Sequence, residues 1–232
     1  MVKQQVVLPG EVVPMPDASQ AKLLRLGPGL LQTDKDIHAV QAGLVTNNPV
    51  GNAWWISNSK KRYIPAAGEP VVGTVTGRSA EYYRIDIGSA YPAQLPVLAF
   101  EGATKRNRPN LAIGTVVYGY LASASRGMEP EMSCVNAKTG EADGYGELKG
   151  GFITKCSISL CQRLLDPRTP ILALLAARLP LDVAIGLNGR VWVASKTIRG
   201  TILAGNAITN SEFLSPKQCE TMVDQLCTTM KL

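Results

Sequence analysis

The chain has 232 residues, 45% of them hydrophobic and 18% charged, enough apolar material for cores in one, two or three small domains. The net charge is +6 and the pI about 9.1, a tilt toward an anionic partner that selects neither a fold nor a chemistry. The lone histidine, His38, excludes a His-based metal site and argues against a His-dependent triad, and the five cysteines contain no C-x-x-C pair.

Cys134, Cys156, Cys161, Cys219 and Cys227 are therefore expected to be buried free thiols in a reducing compartment, with no metal and no cofactor. The start, "MVKQQVVLPGEVV", lacks the apolar core of a secretion signal. The most apolar run, "ILALLAA" at 171–177, is too short to cross a bilayer, so no membrane partner is expected.

Residues 1–65 are rich in Gly and Pro and carry a net +3. "VVLPGEVVPMP", "LLRLGPGLLQ" and "HAVQAGLV" read as short strands or hairpin arms between turn signals. "NAWWISNSKKRYIP" follows, with Trp55, Ser57 and Ser59 alternating into the basic run Lys60, Lys61 and Arg62. A small β-module is predicted, with little material for a core of its own.

Residues 66–150 carry the clearest strand signal and a net −1. In "EPVVGTVTGR", Val71, Gly73 and Val75 alternate with Val72, Thr74 and Thr76. In "EYYRIDIGS", Tyr83, Ile85 and Ile87 share one face, and Tyr82, Arg84 and Asp86 share the other. "AQLPVLAF", "AIGTVVYGYLASAS" and "EMSCVN" complete five strands, which predict a small closed barrel of the OB kind.

Residues 151–232 are mixed and carry a net +4. "GGFITKCS" reads as a strand, and "ISLCQRLLDP" and "TPILALLAARLP" as helices stopped by Pro167 and Pro180. "LDVAIGLNGRVWVAS" reads as a hairpin turning at "NG". A helix follows through Ile198, Ile202 and Leu203. The last helix starts with a capping box, Ser215, Pro216 and Gln218. Its apolar stripe of Cys219, Met222, Val223, Leu226, Cys227 and Met230 faces a core.

The strongest binding signal is "FEGATKRNRP" at 100–109, where Lys105, Arg106 and Arg108 crowd around Asn107 between two predicted strands. A Lys/Arg loop on the rim of an OB barrel suits backbone phosphates of single-stranded nucleic acid, and a solvated loop is the plain alternative. Tyr82 points away from the barrel core and is a candidate to stack a base, with Arg84 beside it; a half-buried structural role suits it equally. "SKKRY" at 59–63 is a second basic run, either a partner-facing patch or a solvated face. Gly186, Leu187, Asn188 and Gly189 spell the G-x-x-G pattern with which KH domains clamp nucleotides. The uncharged middle pair and the flanking strand patterns favour a structural turn, with Trp192 as a packing anchor. Enzyme signatures are missing: there is no Walker loop, no H-E-x-x-H, no G-x-S-x-G and no clustered carboxylate set.

"VVLPGE", "KKRYIPAAGEPVVGTV", "FEGATKRNRPNL", "GMEPEMSCV" and "GLNGRVWV" together resemble the cap subunits of the eukaryotic RNA exosome, in order and over nearly the whole chain. The resemblance implies a multidomain fold: a small N-terminal β-domain at 1–65, an all-β OB barrel of the S-one type at 66–150, and an α+β, divergent KH-like domain at 151–232. It implies a non-catalytic protein that stabilises a ring of ribonuclease-PH-like subunits beside other cap subunits. Such a protein guides the 3′ ends of single-stranded RNA toward a separate exoribonuclease, for processing of ribosomal RNA and RNA decay. Lys105, Arg106 and Arg108 match the family's pore-facing loop, and the altered G-x-N-G loop is structural in that family. Nucleus, nucleolus and cytoplasm are the implied locations. A purely ring-stapling subunit and a stand-alone OB/KH factor are the competing readings.

Overall fold

The structure, a computed structural model, describes residues 5–14, 24–33, 36–48, 52–125, 127–136, 139–167 and 169–230. Parts of the first two predicted arms, at 15–16 and 23, lie outside the described residues, as does the side chain of Met230. The chain forms two compact units, Met1–Lys60 and Lys61–Leu232.

In the first unit the short apolar runs become β1 (Val6–Val7), β2 (Arg25–Leu26), β3 (Leu30–Thr33), β4 (Asp36–Ala39), β5 (Gly43–Asn48) and β6 (Ala53–Ser57). A four-stranded sheet runs β1-β5-β6-β2, and β3 and β4 form a separate hairpin. Strand alternation drives Trp54 and Ile56 inward, while Trp55 stays half-buried and Ser57 exposed. With Val7, Val13, Ala39 and Val45 they make, among the described residues, a small core of six buried side chains.

The second unit opens with β7 (Pro70–Arg78), β8 (Tyr82–Asp86), β9 (Ala93–Pro96), β10 (Val116–Ser123), β11 (Glu131–Ser133) and β12 (Gly146–Leu148). β11 pairs with both β9 and β10, which closes β7, β8, β9, β11 and β10 into a five-stranded barrel. β12 extends the sheet on the far side of β10, a sixth strand too short to show a pattern in the sequence. Tyr83, Ile85, Ile87, Val71, Val75, Leu95, Val117, Leu121 and Met132 fill the barrel. Gly73 leaves room for Ile85: a Cβ there would lie 2.2 Å from its Cγ2.

The chain continues through β13 (Phe152–Lys155), α1 (Ile158–Leu164), α2 (Ile171–Arg178), β14 (Leu181–Gly186), β15 (Arg190–Ser195), α3 (Ile198–Asn210) and α4 (Pro216–Met230). The sheet order β13-β15-β14 is antiparallel throughout, and the helices cover one face. The helix starts are set locally. Ser157 Oγ accepts from the Leu160 N–H before α1, and Thr197 Oγ1 accepts from the Gly200 N–H before α3. At α4, Gln218 Oε1 accepts from the Ser215 N–H at 2.9 Å, which is the reciprocal half of a capping box. Cys219, Val223 and Cys227 face the core as predicted.

Two faces are set by packing that the sequence pattern leaves open. Val72 belongs to the outward set of β7 yet is fully buried, because Ala184 and Trp192 of the second sheet cover it. On α3 the core face is Leu203, Ala204, Ala207 and Ile208, so Ile198 (82% exposed) and Ile202 (53%) point outward. At helical spacing these two share a stripe with each other, not with Ala204 and Ile208.

Candidate nucleic-acid interface

The basic loop between β9 and β10 is exposed at Lys105, Arg106, Asn107 and Arg108. Its shape comes from its own backbone. The Thr104 N–H donates to the Asn107 carbonyl at 3.0 Å, and the Asn107 N–H donates to Thr104 Oγ1 at 3.0 Å. Arg108 then folds back, Nε donating to the Lys105 carbonyl (3.2 Å) and Nη1 to the Ala80 carbonyl at the β7–β8 turn (3.3 Å). Beneath the loop the Tyr83 hydroxyl, rooted in the barrel core, donates to the Pro109 carbonyl at 2.5 Å. Arg78 Nη1 donates to Asn110 Oδ1 at 2.5 Å.

Among the described residues, none of Lys105, Arg106, Arg108 and Arg78 has a carboxylate at salt-bridge distance. Glu101, the acid nearest in sequence, instead accepts the Ala142 N–H at 3.1 Å. The cations therefore keep their charge available to an external anion. Tyr82 is half-buried and Arg84 exposed, side by side on the outward face of β8. Lys61 and Arg62 are exposed and Lys60 is half-buried.

The G-x-x-G segment is built differently. β14 and β15 pair up to Gly186↔Arg190, so the turn is Leu187-Asn188-Gly189, one residue longer than an "NG" turn. Gly189 takes a φ of +78°, the left-handed closing position of a three-residue hairpin loop. Asn188 is 7% exposed, its amide pressed onto the barrel. Its Nδ2 donates to the carbonyls of Val72 and Ile87, both at 2.8 Å, and its Oδ1 accepts the Val72 N–H at 3.2 Å.

The backbone at Val72 needs that partner. β7 pairs with β8 only as far as Thr74↔Asp86, so the groups of Val72 that point the same way have run past the end of β8. The Asn188 amide fills the place of the missing strand. The Leu187 N–H extends the contact to the Pro70 carbonyl at 2.8 Å. Arg190 adds a fork onto Asp86, Nη1 to the backbone carbonyl (2.6 Å) and Nη2 to Oδ2 (2.7 Å). Burial alone would raise the Asp86 pKa, but Arg190 and the Gly88 N–H outweigh it and hold the carboxyl below its usual value. Trp192 packs on Val72, with its indole N–H donating to the Gly150 carbonyl at 3.0 Å.

The two loops thus engage opposite ends of the β7–β8 hairpin. Asn188 binds at Val72, and Arg108 at Ala80, eight residues along, roughly 25 Å at the rise of an extended strand. The sequence reading did not single out Tyr83, Arg78 or Asn110 as functional. Their signal was weak: a core-facing Tyr shows its hydroxyl only through what it reaches, Arg78 is a single cation at a strand end and Asn110 a single amide in a loop.

A closed barrel with a basic rim loop, joined to a small sheet that carries a G-x-x-G turn, defines an S1/KH-type RNA-binding protein. Residues 63–146 match the S1 domain model of exosome complex component RRP40, residues 24–62 the model of the exosome complex exonuclease Rrp40 N-terminal domain, and residues 151–199 a KH domain. The chain is 44% identical over 227 residues to exosome complex component rrp40 of Schizosaccharomyces pombe, covering 94% of each chain. It is 32% identical over 248 residues to exosome complex component RRP40 of Homo sapiens, covering 96% of this chain and 90% of that one. The chain belongs to the RRP40 family of exosome complex components. A crystal structure of a protein assigned as an exosome complex RNA-binding protein shares the fold with a TM-score of 0.60 at 19% identity, over 73% of this chain and 99% of that one.

Proposed function

We propose that this chain is a non-catalytic RNA-binding cap subunit of an RNA exosome, which guides RNA 3′ ends past its basic loop toward a separate nuclease. The observation that carries the reading is the loop itself: Lys105, Arg106 and Arg108 are exposed, free of carboxylate partners among the described residues, and fastened to the barrel through Tyr83 and Ala80. A fixed cationic rail holds phosphates without selecting sequence. Contacts to ribonuclease-PH-like ring subunits and other cap subunits, domains at 1–65, 66–150 and 151–232, and a nuclear, nucleolar and cytoplasmic distribution belong to the same proposal. Exposed large apolar side chains such as Ile64, Met128, Ile198 and Phe213 support a subunit over a stand-alone factor. The Asn188 contacts support a structural role for the KH turn.

The test is RNA capture by the reconstituted assembly across a salt series. Three phosphate contacts on a single strand give a log–log salt slope of about −2, and the double change Lys105→Glu and Arg106→Glu should flatten it by about 1.4. Unchanged capture and slope with intact assembly would favour the purely stapling subunit.

A further inference from the structure

Between the β7–β8 turn and the basic loop lies a cleft of about 430 Å³, lined by Arg78, Ser79, Tyr83, Val97, Arg108 and Asn110 among others. Clefts of this size take small-molecule-sized groups. Among the described residues no Asp or Glu lines it, while two guanidiniums do, so the lining selects an anion. Part of the wall is apolar: Ala80 and Pro109 line it, and Tyr83 (1% exposed) and Val97 (6%) back it from the barrel core.

The walls are held apart before any ligand arrives. Tyr83 pins Pro109, Arg78 pins Asn110, and Arg108 pins Ala80. Such fixed walls reduce the ordering cost of binding. Each arginine retains donors: those bonds occupy Nη1 of Arg78, and Nε and Nη1 of Arg108. An arginine has only donors, so Asn110 must present its Oδ1 to Arg78, which leaves its NH2 to give. An anion flanked by a flat, partly apolar group with hydrogen-bond acceptors fits all of these features.

We propose that this cleft seats one unstacked nucleotide of the RNA strand, its phosphodiester on Arg78 and Arg108 and its base over the Ala80–Pro109 side. The proposal rests on the RNA-guiding reading and adds to it a discrete seat, with Arg78, Ser79 and Asn110 as ligand-facing residues. Lys105 and Arg106 then act as the approach and the cleft as the place where the strand pauses. Every base offers acceptors to the Asn110 amide, so the seat accepts any sequence.

The experiment uses the reconstituted assembly and a single-stranded RNA carrying 4-thiouridine, with crosslinks mapped by mass spectrometry. The wild-type chain should crosslink within 78–83 and 108–110 as well as at 105–106. Ser79→Glu places a carboxylate in the anion's seat without touching the loop, and Arg78→Gln removes one guanidinium. Each should cut the cleft crosslinks about fivefold or more, the loss expected for one nucleotide's contacts, and leave those at 105–106 within about twofold. Crosslinks at 105–106 with none in the cleft, or cleft crosslinks indifferent to both variants, would overturn the seat and leave the guiding reading standing. No crosslink anywhere on the chain would overturn both.

Discussion

Replacing Asn188 by Ala would strip partners from three buried backbone groups at once: the N–H and carbonyl of Val72 and the carbonyl of Ile87. Both residues are 0% exposed, so solvent does not substitute without opening the contact between barrel and hairpin. A buried polar group left without a partner costs about 1–3 kcal/mol, and with partial relaxation three of them come to about 4 kcal/mol. For a unit of this size that is a fall in Tm of roughly 8–16 °C. The assay is calorimetry on the full chain, with hydrogen exchange followed at the peptide that contains Val72. The Val72 amide should lose its protection while peptides of the N-terminal unit stay unchanged. A Tm drop below about 2 °C, or unchanged exchange at Val72, would refute the idea that this amide stands in for a strand. Asn188→Asp should be at least as damaging at neutral pH. Its carboxylate still accepts from Val72 N–H but meets two carbonyl oxygens where the amide donated.

Other outcomes follow from the same contacts. Tyr83→Phe removes the donor to Pro109 and should cost about 1 kcal/mol, with faster hydrogen exchange confined to 104–111; exchange spread through the barrel strands would contradict the local anchoring. Asp86 has a lowered folded-state pKa, so its contribution is present above its unfolded value and is lost as pH falls through the folded one. The stability gap between the wild type and Asp86→Asn should therefore narrow on acidification below about pH 4, read by denaturant midpoints, and a gap that widens would reverse the assignment. Burial pushes the thiols of Cys134 and Cys161 up to about 12, so iodoacetamide at neutral pH should spare both until the chain unfolds; mass spectrometry showing native labelling at free-thiol rates would contradict the packing.

The barrel was legible because each strand alternates against water. Tyr83, Ile85 and Ile87 read as one face and pack as one. The KH hairpin was legible for the same reason, and the basic loop by its charge alone. What escaped is whatever depends on a neighbour distant in sequence. Val72 shares its strand face with Thr74 and Thr76, and only the second sheet makes it a buried position. Ile198, Ile202 and Leu203 are all apolar residues of one helix, but periodicity names two possible faces and packing picks the one with Leu203. Asn188 read as an ordinary turn residue, since its partners lie 116 and 101 residues away. The anchors of the basic loop escaped in the same way, because Arg78, Tyr83 and Ala80 precede it by a whole strand and loop.

Asn188 also sets a schedule for biosynthesis. Strand β7 leaves the ribosome long before the turn that completes it, 116 residues later. At ordinary elongation rates the wait is roughly 5–25 s. Through that interval the newborn barrel carries a bare strand end at Val72, an open template for pairing with another nascent chain. Messages cut short, or chains stalled, before the hairpin is made would release a barrel whose strand end at Val72 has no partner. The edge closes only when the last third of the chain supplies Asn188.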